Sequence, residues 1–283
     1  MSQSPHRTVT VIGAGTIGLG WITLFLEYGL HVRVNSRRPD APRIVTEALR
    51  RCAAHLPEGA DGRLGFEPDL ERAVERADVV VESVPEDLEV KQALFARVGE
   101  AARAEALLLS STSALHPDSL GARMADSGRL VVAHPFDPPY VVPLVELVPG
   151  ELTAPEAVRE AVAFFESLGR VPVVLRRPIP AFAAARLQSA LLRESVYLVR
   201  EGVVSAEELD RVVTHCVGPR WAAAGPFLAS RLDRERPPLD EAVRAFLGEQ
   251  AERAYGAVSR EAQLRERDAR QARVVRALPQ DTP

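Results

Sequence analysis

Short apolar runs alternate with amphipathic stretches through the first 178 residues of the chain. Runs rich in β-branched residues predict buried strands, as in TVTVIGAG at 8–15, HVRVN at 31–35 and ADVVVESV at 77–84. Further strands are predicted at 106–112, 129–136, 144–148 and 170–175, and helices at 16–29, 41–55, 69–77, 87–103 and 155–169. Because strands alternate with helices, we expect an α/β fold with a Rossmann-type, doubly wound and mostly parallel sheet.

The pattern changes after this point, where strand signals stop and helical patterns continue. A long apolar helix is predicted over 181–202, and the next helix begins with a capping box in which Ser205 and Glu208 exchange hydrogen bonds. We therefore expect two domains, a Rossmann-type domain over residues 1–178 and an all-helical C-terminal domain over residues 179–283.

Composition narrows the class of protein. The chain has 283 residues, 46% hydrophobic and 26% charged, with a net charge of −4, so neither nucleic acid nor an anionic membrane is expected as its partner. No apolar run approaches the ~18 residues that span a bilayer, and the opening MSQSPHR has no apolar core of a signal peptide. We expect a cytoplasmic protein. The cysteines Cys52 and Cys216 form no cluster with histidine, so no metal site is predicted.

A glycine motif lies between the first predicted strand and the first predicted helix. Gly13, Gly15 and Gly18 have the G-x-G-x-x-G spacing, with Thr16 and Ile17 inside the motif. Such glycines allow a tight turn and a close approach of the backbone to a pyrophosphate, which the helix N-terminus binds through its unpaired amides. The motif therefore predicts a dinucleotide site, and the alternative is a glycine-rich turn without a ligand.

The end of the second predicted strand bears on which dinucleotide binds. An acidic residue at this place usually binds the ribose hydroxyls of NAD. Here the sequence reads Asn35, Ser36, Arg37 and Arg38, and two guanidinium groups suit the 2′-phosphate of NADP. We expect NADP(H) to be favoured over NAD(H). The alternative is that both arginines are ordinary surface charges and that Asn35 serves NAD.

Four stretches together resemble one family: VIGAGTIGLG, VESVPEDLEVKQALF, SSTSAL and HPFDPPYVVPLVELVPG. They are similar to the L-3-hydroxyacyl-CoA dehydrogenase superfamily. The last stretch, together with AARLQSALLRESVYLVREGVVSAEELDRVV and GPRWAAAGP, is closest to the branch of L-gulonate 3-dehydrogenase, lambda-crystallin and L-carnitine dehydrogenase. The resemblance covers most of residues 8–228. It implies an oxidoreductase that forms homodimers through the helical domain.

The resemblance also implies the catalytic residues. His134 is identified as the acid/base, Glu146 as its orienting partner and Ser113 as the residue that hydrogen-bonds the substrate oxygen. The chemistry agrees, because oxidation of a hydroxyl group needs a base for its proton, and a buried carboxylate orients and supports an imidazole. The alternative for His134 and Glu146 is a buried pair that only links two strands.

Further roles follow from the same resemblance. Glu86 and Ser111 correspond to contacts at the nicotinamide end of the cofactor, and Lys91 is expected to support that face, with a helix-surface lysine as the alternative. Arg220 corresponds to an arginine that would bind a substrate carboxylate through two parallel hydrogen bonds. The alternative for Arg220 is an ion pair with the partner subunit.

This sequence departs from the family pattern at three places. Ala185 stands where the family has a polar residue, often asparagine, that bonds the histidine and the substrate oxygen. Ala181 replaces a glycine, and Asp137 replaces the asparagine of HPFNPP. Either Ser113 and a water suffice, or Gln188 or Ser189 takes over, or the protein is a weakened or repurposed enzyme.

The expected function is therefore an NAD(P)-dependent oxidoreductase that interconverts a β-hydroxy and a β-keto acid or acyl thioester. One alternative is a dehydrogenase of specialised metabolism that acts on a hydroxyacyl group carried by CoA or an acyl carrier protein. The other is a nucleotide-binding protein of the crystallin kind that has lost most of its activity.

Overall fold

The computed structural model describes residues 8–232 and 240–277. Residues 1–7 of the expected first domain and residues 233–239 and 278–283 of the expected second domain lie outside the described residues. The chain divides into two compact units, Met1–Gln188 and Ser189–Pro283. The unit boundary lies inside a helix, and the predicted domain boundary at residue 178 stays a prediction.

Among the described residues, the first unit contains one eight-stranded sheet. The strands are β1 (Thr8–Ile12), β2 (His31–Asn35), β3 (Leu64–Phe66), β4 (Val79–Glu82), β5 (Leu107–Ser110), β6 (Leu130–Pro135), β7 (Leu144–Val148) and β8 (Val171–Val174). Their order across the sheet is β3-β2-β1-β4-β5-β6-β7-β8. Neighbouring strands are parallel except β6 and β7, which are antiparallel. The predicted Rossmann-type, mostly parallel sheet is confirmed.

Helices connect these strands. They are α1 (Thr16–Glu27), α2 (Ala41–Arg51), α3 (Leu70–Val74), α4 (Leu88–Ala101), α5 (Pro117–Leu120) and α6 (Pro155–Ser167). The sequence analysis missed β3 and α5. β3 has only three residues, of which Gly65 is one, and α5 has only four, so neither is long enough to show a hydrophobic period.

The sheet is buried on both faces, which explains why its strands are continuous apolar runs instead of alternating ones. Val79 and Val81 of β4 pack on the face that α1 and α6 cover, and Val80 packs on the face that α4 covers. Aromatic side chains fill the first of these layers: the rings of Trp21 and Phe25 are stacked with their centroids 5.6 Å apart.

Every regular element among the described residues of the second unit is a helix, and a π-helical turn over Val213–Val217 joins two of them. Its helices are the remainder of α7 (Ala184–Arg200), then α8 (Ala206–Val212), α9 (Gly218–Ala223), α10 (Pro226–Leu232), α11 (Glu241–Tyr255) and α12 (Arg260–Ala277). The predicted capping box is confirmed, because the Ser205 and Glu208 side chains each accept a hydrogen bond from the other residue's backbone N–H. None of the described helices is long and apolar enough to cross a membrane.

The predicted helix over 181–202 begins three residues later than expected. Ala181 and Phe182 have φ angles of 61° and 47°, in the left-handed region, so the helix starts only at Ala184. Glycine adopts this conformation freely, whereas a Cβ atom makes it costly by roughly 1–2 kcal/mol per residue. The chain therefore carries backbone strain immediately before α7. One of the two strained residues, Ala181, stands where the family pattern has glycine.

We expect Ala181→Gly to stabilise the protein. Removal of the Cβ relieves about 1–2 kcal/mol of strain, and the greater freedom of glycine in the unfolded chain offsets about 0.5–1 kcal/mol of that gain. Urea unfolding should show a net gain of about 0.5–1 kcal/mol. Ala190→Gly, on the exposed side of α7, is the matched control and should lose about that amount. A loss of stability in both variants would contradict the strain.

Candidate active site

The carboxyl ends of four neighbouring strands, β2, β1, β4 and β5, form one row across the sheet, beside the middle of β6. Ile12 of β1 lies opposite Asn35 of β2 and Glu82 of β4, and Ser110 of β5 lies between Glu82 and Val132 of β6. In open α/β sheets, ligands bind in the crevice at this edge, near the point where the strand order reverses. Here that point is between β1 and β4.

The three positions of the dinucleotide motif need glycine for different structural reasons. A Cβ atom on Gly13 would lie 2.8 Å from the Ser83 carbonyl carbon, and one on Gly18 would lie 3.0 Å from the Gly13 carbonyl carbon, so the fold itself requires both glycines. Around a Cβ atom on Gly15, in contrast, no protein atom lies within 4 Å. The open space is at the N-cap of α1, where no side chain caps the first backbone N–H groups. These residues fit the pyrophosphate of a dinucleotide.

Asn35 is buried at the end of β2, and its orientation follows from its neighbours. The side-chain nitrogen Nδ2 donates hydrogen bonds to the carbonyl oxygens of Glu67 and Pro68, at 2.9 and 3.1 Å. Because both partners are acceptors, the nitrogen must face them. The acceptor oxygen Oδ1 is therefore the polar atom that this side chain can offer to a ligand.

The two arginines after β2 differ in their surroundings. Both arginines are exposed, but Arg38 also donates two hydrogen bonds to the Asp40 carboxylate, at 3.2 and 3.3 Å. Hydrogen bonds and charge from Arg38, with a further hydrogen bond from Arg43, hold the pKa of Asp40 below its usual value. The Ser36 hydroxyl accepts from the backbone N–H of Arg38 at 3.2 Å. The sequence analysis missed Asp40, which stands two residues beyond the Arg37–Arg38 pair.

His134 and Glu146 face each other on the antiparallel strands β6 and β7. The imidazole Nδ1 lies 3.0 Å from Glu146 Oε2, and both residues are buried. The other carboxylate oxygen, Oε1, accepts hydrogen bonds from the backbone N–H groups of Ala183 and Ala184, each at 2.9 Å. The imidazole on β6 and the two amides at the positive end of α7 therefore compensate the cost of burying this carboxylate.

Aromatic rings enclose the imidazole. The ring of Phe136 meets that of His134 edge-on at a centroid distance of 4.8 Å, and the ring of Phe182 lies 5.3 Å away. Phe182 is the second residue of the left-handed turn, so the turn that places the Ala183 and Ala184 amides on Glu146 also places this ring on His134. Apolar walls on this side leave Nε2 as the imidazole atom available to a substrate.

A second buried carboxylate lies at the end of β4. The ammonium group of Lys91 lies 2.6 Å from Glu82 Oε1 and 3.2 Å from Glu86 Oε2. Lys91 and Glu82 are 1% and 0% exposed, so Lys91 is not a helix-surface lysine. Glu82 also accepts hydrogen bonds from the Val84 N–H and the Ser110 hydroxyl. Lys91 thus joins α4 to the sheet edge beneath Glu86.

Glu86 connects this cluster to the loop after β5. Its Oε1 accepts hydrogen bonds from the Thr112 hydroxyl and, at 3.0 Å, from the Ser113 backbone N–H. Burial acts to raise the pKa of Glu86, but the hydrogen bond from Thr112 and the charge of Lys91 outweigh it, so the pKa lies below the ordinary value. Glu86 is therefore ionised at neutral pH and holds the backbone of exposed Ser113.

Ser111 lies in a separate hydrogen-bonded group. Its hydroxyl accepts from the Trp21 indole N–H at 2.9 Å and lies 3.0 Å from the Ser83 hydroxyl. This group ties α1 to the loops after β4 and β5. The contacts of Glu86, Lys91 and Ser111 with a cofactor stay predictions, as does the role of Ser113.

Two further sequence-based expectations concern residues on α7 and α9. Ala185 lies in the first turn of α7, one residue after the Ala184 amide that binds Glu146. Arg220 lies on α9 in the second unit, and its role as a carboxylate clamp stays a prediction. The sequence analysis missed Glu82, although a carboxylate that ends the apolar run VVVE was a visible sign of a buried acid.

Comparison with known proteins gives consistent matches along most of the chain. The sequence profile of the 3-hydroxyacyl-CoA dehydrogenase NAD binding domain matches residues 8–178, and that of the 3-hydroxyacyl-CoA dehydrogenase C-terminal domain matches residues 182–272. The L-carnitine dehydrogenase of Oceanobacillus iheyensis is 40% identical over 232 residues, which cover 80% of this chain and 76% of that protein. The L-carnitine dehydrogenase of Streptomyces griseus is 41% identical over 236 residues, 80% of this chain and 69% of that protein.

A solved structure supports the same grouping. The structure of the 3-hydroxyacyl-CoA dehydrogenase of Archaeoglobus fulgidus superposes with a TM-score of 0.71 and is 27% identical in sequence. The superposition covers 96% of this chain and 98% of that one. The expected superfamily and the expected class of enzyme are confirmed.

We expect Gly15→Ala to weaken dinucleotide binding by at least about tenfold without destabilising the fold. The added methyl group meets no protein atom but occupies the space where the pyrophosphate approaches the backbone. NADH titration and thermal unfolding measure the two effects. Gly65→Ala, which also meets no protein atom, is the control and should change neither. Unchanged NADH affinity in Gly15→Ala would show that the pyrophosphate does not bind here.

Proposed function

The chain belongs to the 3-hydroxyacyl-CoA dehydrogenase family, and on that premise we propose that it interconverts the β-hydroxyl and β-keto forms of a small acid. Nicotinamide dinucleotide is its cofactor class, because the matched N-terminal domain is an NAD binding domain. The observation that carries the proposal is the buried His134–Glu146 pair, whose carboxylate is held by the amides at the start of α7.

The pair assigns a task to each imidazole nitrogen. Because the Glu146 carboxylate only accepts hydrogen bonds, Nδ1 carries the hydrogen and Nε2 is left as the basic nitrogen. Nε2 of His134 accepts the hydroxyl proton of the substrate as the alcohol is oxidised, and Glu146 stabilises the imidazolium that forms. A bound nicotinamide supplies the hydride acceptor. Ser113 donates a hydrogen bond to the substrate oxygen.

The substrate class follows from the relatives. The curated relatives are named L-carnitine dehydrogenases, and carnitine is a β-hydroxy acid with a free carboxylate. Arg220 is our candidate for binding that carboxylate. The methyl side chain of Ala185 cannot donate a hydrogen bond, so Ser113 carries the stabilisation of the substrate oxygen, with a water or the side chain of Gln188 or Ser189 as a second donor.

For the cofactor, the contacts after β2 support NAD(H) more than the NADP(H) that the sequence pattern favours. Asn35 offers an acceptor oxygen, which suits a ribose hydroxyl and repels a phosphate. Arg38 is already paired with Asp40, whose negative charge opposes a 2′-phosphate. Arg37 remains the group that favours NADP(H). Homodimer formation, the cytoplasmic location and a carrier-linked substrate stay predictions.

We expect His134→Asn to lower turnover by about 10²–10⁴-fold, because the general base is lost. NADH affinity should change by less than about threefold, since the dinucleotide motif is untouched. The assay follows NADH formation with L-carnitine, L-gulonate and 3-hydroxybutyryl-CoA. His31→Asn, on the exposed start of β2, is the matched control. Retained turnover in His134→Asn would refute the assignment, and NADH binding without turnover of any β-hydroxy compound would support the crystallin-like alternative.

We expect the wild-type protein to bind NADH at least about tenfold more tightly than NADPH, because Asn35 and Asp40 disfavour the 2′-phosphate. Fluorescence titration of both cofactors measures the ratio. Asp40→Asn releases Arg38 and should tighten NADPH binding by several-fold while NADH binding stays the same. Asp61→Asn, an exposed aspartate elsewhere, is the control. Tighter binding of NADPH by the wild type would restore the preference that Arg37 and Arg38 predict.

A further inference from the structure

Gly20 lies outside the dinucleotide motif, yet the structure leaves no room for a side chain there. A Cβ atom on Gly20 would lie 2.8 Å from Cγ of Pro139, closer still to its Cδ, and 3.3 Å from its nitrogen. Non-bonded carbon atoms separate by about 3.5–4.0 Å. The buried helix α1 and the buried Pro139 are therefore in direct contact at this glycine.

Pro139 belongs to the loop over residues 136–143 that joins β6 to β7, and Arg170 binds this loop from outside it. Its guanidinium donates hydrogen bonds to the carbonyl oxygens of Pro139 and Tyr140, at 3.2 and 3.4 Å, and its Nε donates to that of Leu168 at 3.0 Å. The Pro138 carbonyl accepts from the N–H groups of the two residues after Tyr140, each at 2.9 Å. The loop is thus clamped between α1 and the C-terminal end of α6.

This loop begins two residues after His134, because β6 ends at Pro135. Its first residue, Phe136, packs edge-on against the His134 ring at 4.8 Å. At the other end of the contact, Gly20 is one helical turn beyond Thr16, the first residue of α1. The Gly20–Pro139 contact therefore connects the start of α1, where the dinucleotide motif lies, with the loop that supports His134.

We propose that Gly20 is a positioning residue, which sets the place of His134 relative to the N-terminal end of α1 by seating Pro139 against the helix. The inference rests on the proposed function, in which the start of α1 binds the cofactor and His134 binds the substrate hydroxyl. Gly20 acts through Pro139 and Phe136 and touches neither ligand. A methyl group at Gly20 must push the loop away by about 1 Å, and misplacement of that size costs about 10²-fold in rate.

The test compares Gly20→Ala with the double variant Gly20→Ala/Pro139→Ala, which removes the two ring atoms in the way. We expect Gly20→Ala to lower kcat by about 10–10²-fold, with NADH affinity changed by less than about threefold. Amide hydrogen exchange at Val141 and Val142 should accelerate, because their hydrogen bonds to the Pro138 carbonyl depend on the loop's seat. The double variant should recover most of the lost kcat, and Gly65→Ala should match the wild type.

A second variant approaches the loop from the other side. Arg170→Gln removes the guanidinium clamp and adds no atom to α1, so it remains informative if Gly20→Ala does not fold. It should lower kcat and accelerate exchange at Val141 and Val142, again with NADH affinity nearly unchanged.

Different outcomes separate this inference from the proposed function. If the wild type turns over a β-hydroxy acid but both variants keep its kcat, the positioning role is refuted alone. A loss of NADH affinity as large as the loss of kcat would also refute it, as would a double variant that recovers nothing. If the wild type shows no turnover, the proposed function fails. Unchanged amide exchange at Val141 and Val142 in Gly20→Ala would refute the Gly20–Pro139 contact, whether or not the protein shows turnover.

Discussion

A buried carboxylate needs donors on every side, and this constraint at Glu146 accounts for much of the fold around it. One donor is His134, which faces Glu146 because β7 reverses direction beside β6 in an otherwise parallel sheet. The other two are the amides of Ala183 and Ala184, which reach the carboxylate because the chain passes through a left-handed turn first. The strained backbone is thus part of the arrangement that keeps the charge buried, at a cost that the three hydrogen bonds offset.

The same edge of the sheet contains a second solution to the same problem. Glu82 is as deeply buried as Glu146, but its partner is the ammonium group of Lys91 on α4, which also lies within 3.2 Å of Glu86. An imidazole has a second ring nitrogen that can exchange a proton with a ligand while the first is held by the carboxylate, whereas an ammonium group has donors only. One buried pair is therefore suited to proton transfer, and the other to holding the loops after β4 and β5 in place.

The hydrophobic pattern was enough to predict the sheet, because strands buried on both faces produce long apolar runs such as VVVE and LVVA. The glycine motif and the His134–Glu146 pair were also visible, since both depend on residue type and local spacing. What could not be predicted has several physical reasons. The ion cluster of Lys91 and the turn before Ala184 are set by tertiary packing, and β3 is too short to give a period. The exposed pair of Arg38 and Asp40, two residues apart, depends on side-chain conformations that residue order does not fix.

The antiparallel pairing of β6 and β7 also has an evolutionary consequence. His134 and Glu146 belong to consecutive strands, so the pair is carried by one hairpin and not by segments that different parts of the gene must supply. The ladder keeps the two side chains opposite each other whatever residue stands at an exposed position of the loop between them. A position such as Asp137 can therefore change without separating the buried pair, whereas the buried Pro139, seated against α1, leaves no such freedom.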